Sequence, residues 1–199
     1  MSLNLITAPT EEPVTLGELK DQCRITAGDQ DILLTNLAAT ARQYLDGKQG
    51  ILGRALMPQT WDLWLDSFPG WEWMDVPLPP LQSVTSIKYY DTANVEATMA
   101  AVDYFVDTKR EPGRVSLAYG KAWPTAVLRP INGVAVRFVA GYADAVSVPA
   151  PIKHAILMLS AHWFINSEAV DTGAALVPRL MALAVQSLTE PYRIWRAAA

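Results

Sequence analysis

The chain has 199 residues, of which 51% are hydrophobic and 18% are charged, and its formal net charge is −4. A charged share below the roughly 25% usual in globular domains, beside so many apolar residues, excludes a disordered chain and predicts one folded domain or two small ones. No basic block is present to capture nucleic acid electrostatically, so sequence-specific DNA binding is not expected.

Cysteine usage and apolar run lengths bear on the compartment. Cys23 is the sole cysteine, which rules out an intramolecular disulfide and a Cys-based zinc site. Residues 1–10 lack the basic start and long apolar run of a secretory signal. The richest apolar stretch, 155–165, is interrupted by Ser160 and His162 and is far shorter than the ~20 residues a bilayer requires. We therefore expect a protein of the reducing cytoplasm that binds no membrane.

The first two predicted elements are helices. Thr15 is placed to cap the first helix, and Glu18, three residues later, completes a capping box. From Asp29 the apolar residues recur at three- and four-residue steps up to Gly47, a glycine suited to the C′ position. This pattern predicts an amphipathic helix with a stripe of Leu33, Leu34, Leu37, Ala38, Ala41, Tyr44 and Leu45.

From Thr60 the apolar period drops to two, which is typical of a half-buried strand. Trp61, Leu63 and Leu65 are expected to face the core, and the other side of the strand carries Thr60, Asp62, Trp64 and Asp66. Further short extended runs are predicted at 74–78, 84–90, 104–107, 114–117 and 134–139. Their spacing favours an antiparallel sheet of five or six strands, because parallel crossovers need about a dozen or more residues each.

Helical periodicity returns after residue 148. Pro151 is suited to the first turn of a helix, where its missing N–H is not required. The expected apolar stripe is Ile152, Ala155, Ile156, Leu159 and Trp163. A last helix is predicted from about Pro178 to a point before Pro191, since the residue that precedes a proline disfavours helix.

Helices at both ends with strands between them predict an α+β fold. Residues 1–55 and 148–199 are expected to form one helical body, and the antiparallel β region of residues 56–147 is inserted between its two parts.

Catalytic and cofactor motifs are absent. The chain has no nucleophile elbow, no His-Glu-x-x-His sequence, no glycine-rich dinucleotide motif and no phosphate loop, so we expect neither an enzyme nor a cofactor. His154 and His162 are eight residues apart on one helix, too far to share a metal ion as i, i+4 ligands do. Asp62, Asp66 and Asp75 allow an acid/base pair in principle, and solvated strand-face charges are the favoured interpretation.

Seven tryptophans are unusual for this length, and four of them, Trp61, Trp64, Trp71 and Trp73, lie within thirteen positions. Alternation with leucines assigns Trp61 to the core. Phe68-Pro69-Gly70 is interpreted as a hairpin turn that aromatic side chains pin. Trp64, Trp71 and Trp73 are therefore candidate interface residues, with a ligand-binding aromatic platform as the alternative.

Ten short segments occur in an order that resembles one known family. The most specific are Phe-Val-Ala-Gly-Tyr at 138–142, Val-Pro-Ala-Pro-Ile-Lys at 148–153 and Ala-His-Trp at 161–163; the others lie at 13–16, 29–45, 53–56, 59–61, 78–84, 112–115 and 123–124. Over nearly its whole length the chain resembles the phage head-tail connector (head-completion adaptor) family of tailed phages, prophages and gene transfer agents.

The resemblance implies a non-enzymatic structural protein that forms a homo-oligomeric ring, twelvefold to match the portal beneath which it lies. The ring would extend the DNA channel, let DNA pass without reading its sequence, and offer its far face to a tail-side connector or stopper protein. The location it implies is the head-tail interface of the virion, after synthesis in the host cytoplasm. Two alternatives stay open: a carbohydrate-binding β module that uses surface tryptophans, and a small hydrolase that uses Asp62, Asp66 and Asp75.

The C-terminal segment is expected to be an arm that docks on the portal. Pro191 ends the last helix, and large apolar and cationic side chains alternate after it. In related connectors the C-terminal region contacts the portal, and Tyr, Trp and Arg are enriched among interface hot spots. The candidate portal-binding residues are Tyr192, Arg193, Ile194, Trp195 and Arg196. The alternative is that Trp195 folds back and covers the helical body.

Overall fold

The computed structural model describes residues 1–166 and 176–194. The chain divides into two compact units: a β unit made of residues 1–10 and 58–143, and a helical unit made of residues 11–57 and 144–199. Helices and antiparallel sheets together confirm the predicted α+β class.

The β unit holds eight described strands: β1 (Ser2–Thr7), β2 (Gln59–Leu65), β3 (Trp73–Val76), β4 (Leu81–Tyr90), β5 (Glu96–Thr98), β6 (Tyr104–Asp107), β7 (Gly113–Leu117) and β8 (Val134–Ala140). They form a five-stranded sheet of order β1-β2-β8-β4-β5 and a three-stranded sheet of order β3-β7-β6, and every strand pair is antiparallel. The antiparallel arrangement matches the sequence prediction, whereas the single sheet of five or six strands is wrong.

The five-stranded sheet is centred on β8. This strand pairs with β2 from Gln59–Ala140 to Leu65–Val134, and its other edge pairs with β4. Val136 and Phe138 are fully buried, as expected for the middle strand of a sheet with one face on the core. Trp61, opposite Phe138, is buried as predicted.

Two strands and one chain connection differ from the prediction. β1 was not predicted because only one of its residues, Leu3, is buried, so its alternation carries little signal. Residues 1–10, expected in the helical body from the sequence, lie in the β unit because β1 pairs with β2.

β5 is only three residues long and follows a turn in which the Asp91 carboxylate accepts the amides of Ala93 and Val95. Residues 68–70 make no hairpin turn, since the strands on either side belong to different sheets.

The helical unit contains α1 (Leu16–Cys23), α2 (Asp31–Leu45), α3 (Ala150–Ile165) and α4 (Leu176–Thr189). The predicted capping box is confirmed: the Thr15 hydroxyl accepts the Glu18 amide at 3.2 Å, and the Glu18 carboxylate accepts the Thr15 amide at 2.7 Å. That backbone hydrogen bond, outweighing partial burial, lowers the pKa of Glu18. Pro151 stands in the first turn of α3, and α4 ends two residues before Pro191, as predicted.

The core of the helical unit forms where α2 packs on α3. Four residues of the predicted α2 stripe are buried, namely Leu34, Ala38, Ala41 and Leu45. Leu33 and Tyr44 were expected on the same stripe, but they are 42% and 50% exposed because they lie at its margin. On α3 the buried residues include Ile152, Ala155, Ile156 and Leu159, which confirms the predicted stripe at these positions.

A buried ion pair closes the C-terminal end of α2. Arg42 Nη1 donates to Asp46 Oδ2 at 2.8 Å, while Arg42 Nε donates to Glu12 Oε2 at 2.7 Å. The second carboxylate oxygen of Asp46 accepts the amide of Leu56 at 2.9 Å. Burial acts to lower the pKa of Arg42, but the hydrogen bonds and charges of Glu12 and Asp46 outweigh it and raise that pKa. The pair therefore ties the helix end to the following loop with both charges compensated.

Replacing Arg42 with methionine is expected to lower the free energy of unfolding by about 3–5 kcal/mol, because the buried Asp46 carboxylate loses the charge and the hydrogen bond of Arg42. The exposed Lys88–Glu96 pair offers a matched control, since its side chains are 38% and 43% accessible. Lys88→Met is expected to change stability little, because water screens an exposed pair. Denaturant unfolding of both variants measures the difference, and equal losses would contradict the prediction.

Candidate interaction surfaces

Three exposed aromatic side chains lie on or beside the outer face of the three-stranded sheet; we call Trp71, Trp73 and Phe105 the aromatic row. Trp73 and Phe105 both pair with Ser116, so the side chains of Trp73, Ser116 and Phe105 point to the same face. Trp71 stacks on Trp73, with ring centroids 6.3 Å apart and an interplanar angle of 29°. The exposed fractions are 62% for Trp71, 43% for Trp73 and 67% for Phe105.

The opposite face of the same sheet explains why these rings are left outside. Met74, Val76 and Val115 are buried, and they alternate with the outward residues along β3 and β7. The sequence pattern identifies Trp71 and Trp73 as candidate interface residues but does not identify Phe105. The run Tyr104-Phe105-Val106 is apolar at consecutive positions, so alternation alone could not tell which side of β6 faces the core.

A charged row flanks the aromatic row one step along the strands; it consists of Asp75, Arg114 and Asp107, which pair in register. Arg114 Nε lies 3.4 Å from Asp107 Oδ2, and Arg110 Nη1 lies 3.6 Å from Asp75 Oδ1. All four side chains are more than a third exposed, so the pairs add little to stability. Within these two pairs the positive and negative charges cancel.

The loop that carries Trp71 is held by a second set of aromatic contacts. Phe68 stacks on Trp123 with a centroid separation of 5.2 Å and an interplanar angle of 12°, and Phe68 also meets the edge of Tyr89 at 5.9 Å. Trp123 Nε1 donates to the Trp71 carbonyl at 2.7 Å. The position of Trp71 is therefore fixed through its backbone as well as through stacking on Trp73.

Trp64 does not join the aromatic row, because it lies on the five-stranded sheet. Its ring stacks on Tyr90 at 5.9 Å, and the Arg129 guanidinium carbon lies 4.3 Å from the Tyr90 centroid and 5.8 Å from the Trp64 centroid. Arg129 is itself held by two hydrogen bonds to the Asn132 carbonyl, at 2.9 and 2.7 Å. Trp64 is thus part of a cation–π stack, and the three candidate tryptophans divide between two places.

The outer face of the five-stranded sheet is polar and internally paired. Arg137 binds both carboxylate oxygens of Asp62 at 2.7 and 2.8 Å. Glu96 accepts from Lys88 at 2.7 Å and from the Tyr90 hydroxyl at 2.8 Å. These bonds, the one from Lys88 first, lower the pKa of Glu96, whereas burial and then the bond to Glu96 raise the pKa of Tyr90.

The three candidate carboxylates are not brought together. Asp62 is buried, contrary to the expectation of a solvated charge, because the side chain of Arg137 lies against it. Asp66 accepts the amide of Asn132 at 2.9 Å, and Asp75 stands on the other sheet. Each carboxylate has its own partner, so the paired geometry that acid/base hydrolysis requires is not formed by these residues.

The histidines of α3 take local roles. His154 is exposed, and His162 Nδ1 lies 3.2 Å from the side-chain amide of Asn166. Within residues 1–166 and 176–194, no group of three or more His, Cys, Asp or Glu side chains is arranged to hold a metal ion. Over the same residues, no helix has the length and apolar character needed to span a membrane.

The C-terminal segment follows the helical unit up to Ile194. After α4 a short 3₁₀ turn spans Glu190–Tyr192. Arg54 Nε donates to the Tyr192 carbonyl at 2.7 Å, and the Ile194 amide donates to the Leu52 carbonyl at 2.8 Å. The prediction of an arm that leaves the body at Pro191 is therefore corrected for residues 191–194.

The loop beneath this segment is shaped to receive it. Gly53 adopts φ 65°, and a Cβ atom there would come within 3.1 Å of the Ile194 carbonyl oxygen. A cleft of about 510 Å³ borders the segment, and its lining includes Tyr44, Trp163, Val185 and Arg193. The side chain of Arg193 is exposed. Trp195 and Arg196, the other candidate portal-binding residues, lie outside the described residues.

The chain matches known proteins only among solved structures. No family model matches the chain, and no curated protein matches it. The structure is similar to a chain in the neck of an empty gene transfer agent (GTA) particle computed with C6 symmetry, with a TM-score of 0.78, 22% identity, and coverage of 100% of this chain and 98% of that one.

Two further solved structures match with the same coverage. One comes from the virion of a native gene transfer agent particle, with a TM-score of 0.77 and 24% identity. The other comes from the neck of a native GTA particle computed with C12 symmetry, with a TM-score of 0.70 and 22% identity. These matches show a fold shared with chains of gene transfer agent particles.

Replacing Arg54 with methionine is expected to lower the free energy of unfolding by about 1–3 kcal/mol, because the Tyr192 carbonyl loses its buried donor. The amide of Ile194 should then exchange hydrogen faster than in the parent. Arg110→Met is the control, since Arg110 is an exposed arginine whose Nη1 lies 3.6 Å from Asp75 Oδ1. Hydrogen exchange read by mass spectrometry on the last peptide tests the prediction, and unchanged protection in Arg54→Met would contradict it.

Proposed function

We propose that this chain is a head-tail connector (adaptor) subunit of a phage or phage-like particle. In this proposal it forms a ring beneath the portal, extends the DNA channel and links the capsid to the tail. The observation that carries the proposal is the likeness to gene transfer agent neck chains over 100% of this chain and 98% of those chains. Because the likeness spans both units of the chain, it does not concern only one module that many proteins share.

The proposed ring consists of identical copies joined head to tail. A heterologous contact uses two different surfaces of one chain, and it closes into a ring when the rotation per copy divides the circle. The similar neck structures were computed with C6 and C12 symmetry, which supports cyclic symmetry and makes twelve copies the proposed number.

DNA is proposed to pass through this ring without being read. Each copy carries a net charge of −4. Several of its cations are already occupied, as in the pairs Arg42–Asp46, Arg137–Asp62 and Lys121–Asp103. Because nonspecific affinity comes from neutralised phosphates, a ring of chains with net negative charge is proposed to hold the duplex weakly.

Portal attachment is assigned to the C-terminal segment. Tyr192, Arg193 and Ile194 stand on the loop of residues 46–56 and are fixed there by two hydrogen bonds. A segment held in place loses less conformational entropy on binding than a free arm. Trp195 and Arg196 continue it with two residue types enriched at hot spots. The tail-side connector or stopper then binds the opposite face of the ring, and the protein resides in the virion.

Assembly should increase the measured molecular mass of the protein. We expect mass photometry and sedimentation, run from micromolar to millimolar chain concentration and with the portal ring added, to reveal a cyclic species near twelve copies. Docking on a preformed portal raises the local concentration of neighbouring copies, so assembly should be favoured there. A chain that stays monomeric under all these conditions would contradict the proposal, as would tight sequence-selective binding of duplex DNA at physiological salt.

Portal attachment should depend on the last residues of the segment. The double variant Arg193→Ala with Trp195→Ala is expected to weaken binding to the portal ring by about tenfold or more, the scale of hot-spot truncations. The ring and the unfolding midpoint should change little. Arg24→Ala, which removes an exposed arginine after α1, is the control. Portal binding equal to the parent, measured by co-sedimentation, would remove these residues from the attachment site.

A further inference from the structure

We infer that the aromatic row, Trp71, Trp73 and Phe105, is the surface through which one copy of this chain contacts the next copy in the ring. The inference rests on the proposed ring and adds to it the place of the contact between copies. It also changes the set of interface residues expected from sequence, because Phe105 joins Trp71 and Trp73 whereas Trp64 does not.

The aromatic row exposes a large apolar area to water. Fully buried aromatic side chains account for about 150–250 Å² each. At exposed fractions of 62%, 43% and 67%, the three rings leave about 260–430 Å² of aromatic surface in contact with water. The largest apolar patch on a typical monomer measures about 300–600 Å² and is often functional.

The aromatic row is held rigidly by the structure around it. Trp73 and Phe105 stand on hydrogen-bonded strands on either side of β7, and Trp71 is held by stacking on Trp73 and by the bond from Trp123 to its carbonyl. Aromatic side chains have few rotatable bonds, so ordering this surface on binding costs little conformational entropy. The surface is therefore in its binding shape before the partner arrives.

The charges beside the aromatic row are paired. Asp107 pairs with Arg114 and Asp75 pairs with Arg110. The charges within these two pairs cancel, so the pairs offer no net attraction to DNA or to a strongly acidic or basic protein. A neutral apolar centre with a polar border fits another folded protein surface that is equally poor in charge. A second copy, with only 18% charged residues, has this character.

The area of the aromatic row limits the affinity of a single contact between two copies. A stable, independent complex buries about 800 Å² on each partner, and the aromatic row supplies one third to one half of that area as its apolar centre. A single pairwise contact is then weak. In a closed ring each copy has two such contacts, and the portal holds the copies side by side, so closure supplies the stability that a pair lacks.

The contact must be heterologous. If the aromatic row of one copy met the aromatic row of another, a twofold dimer would form and growth would stop at two copies. The ring therefore requires that the row of one copy bind a different surface of the next copy, which a covalent trap can identify.

Photo-crosslinking tests the location. Phe105 is replaced by p-benzoylphenylalanine, which keeps an aromatic ring at that position, and Val127, 75% exposed in a loop of the β unit, is replaced likewise as the control. In the assembled fraction, irradiation of the 105 probe should give a ladder of crosslinked copies. The captured peptides should come from outside residues 71–76 and 104–117. The 127 probe should give few crosslinks.

Assembly of variants tests the energy. Trp73→Ser with Phe105→Ser is expected to raise the chain concentration needed for assembly about tenfold or more. The unfolding transition should stay cooperative, at a somewhat lower midpoint, because Trp73 is only 43% exposed and stacks on Trp71. Val127→Ser is the matched control and should assemble normally. If the double variant does not fold, the crosslinks from the probe at position 105 test the contact instead, because p-benzoylphenylalanine keeps an aromatic side chain there.

The remaining outcomes separate the two proposals. Rings that form normally in the double variant, with no crosslinks from position 105, overturn the contact while the connector function stands. Crosslinks confined to the aromatic row of the second copy indicate a twofold dimer and also overturn the contact. Retention of a glycan from an array by the parent, lost in the double variant, would assign the row to carbohydrate binding. A chain that forms no ring, even on the portal, overturns both proposals.

Discussion

The architecture depends on the antiparallel pairing of β2 with β8. Gln59, at the start of β2, lies opposite Ala140, at the end of β8, so the chain enters and leaves the β unit on neighbouring strands. Antiparallel partners of this kind are only about 5 Å apart. The two segments of the helical unit, 11–57 and 144–199, are brought together although more than eighty residues separate them in sequence. An inserted sheet can then accompany one continuous helical core, with α2 packed on α3.

Within the helical unit, the loop of residues 46–56 gathers the polar contacts that the helices leave open. Asp46 binds Arg42 and the Leu56 amide, whereas Arg54 and Leu52 hold the backbone of Tyr192 and Ile194. Buried charges of this kind are tolerated only when each has its partner. The same loop therefore stabilises the end of α2 and positions the C-terminal segment, which connects the packing of the unit to the proposed attachment to a portal.

The aromatic residues of the β unit divide by environment. Trp61 is buried under the five-stranded sheet, Trp64 is stacked with Tyr90 and Arg129, and Trp123 supports the loop that carries Trp71. The aromatic row presents large rings to water, and Trp73 and Phe105 stand on strands of a sheet whose other face is buried. This combination of exposure and support suits the contact between copies that we propose.

Local patterns in the sequence were sufficient for the elements that local chemistry controls. The Thr15–Glu18 capping box, the Pro151 start of α3 and the strand at 104–107 depend on residues a few positions apart, so periodicity and capping rules identify them. Tertiary structure alone decided the division into two sheets, the addition of β1, the burial of Asp62 against Arg137 and the alignment of Phe105 with Trp73. Each of these depends on register between strands distant in sequence, and register is set by packing across the whole unit, which no short window of the sequence contains.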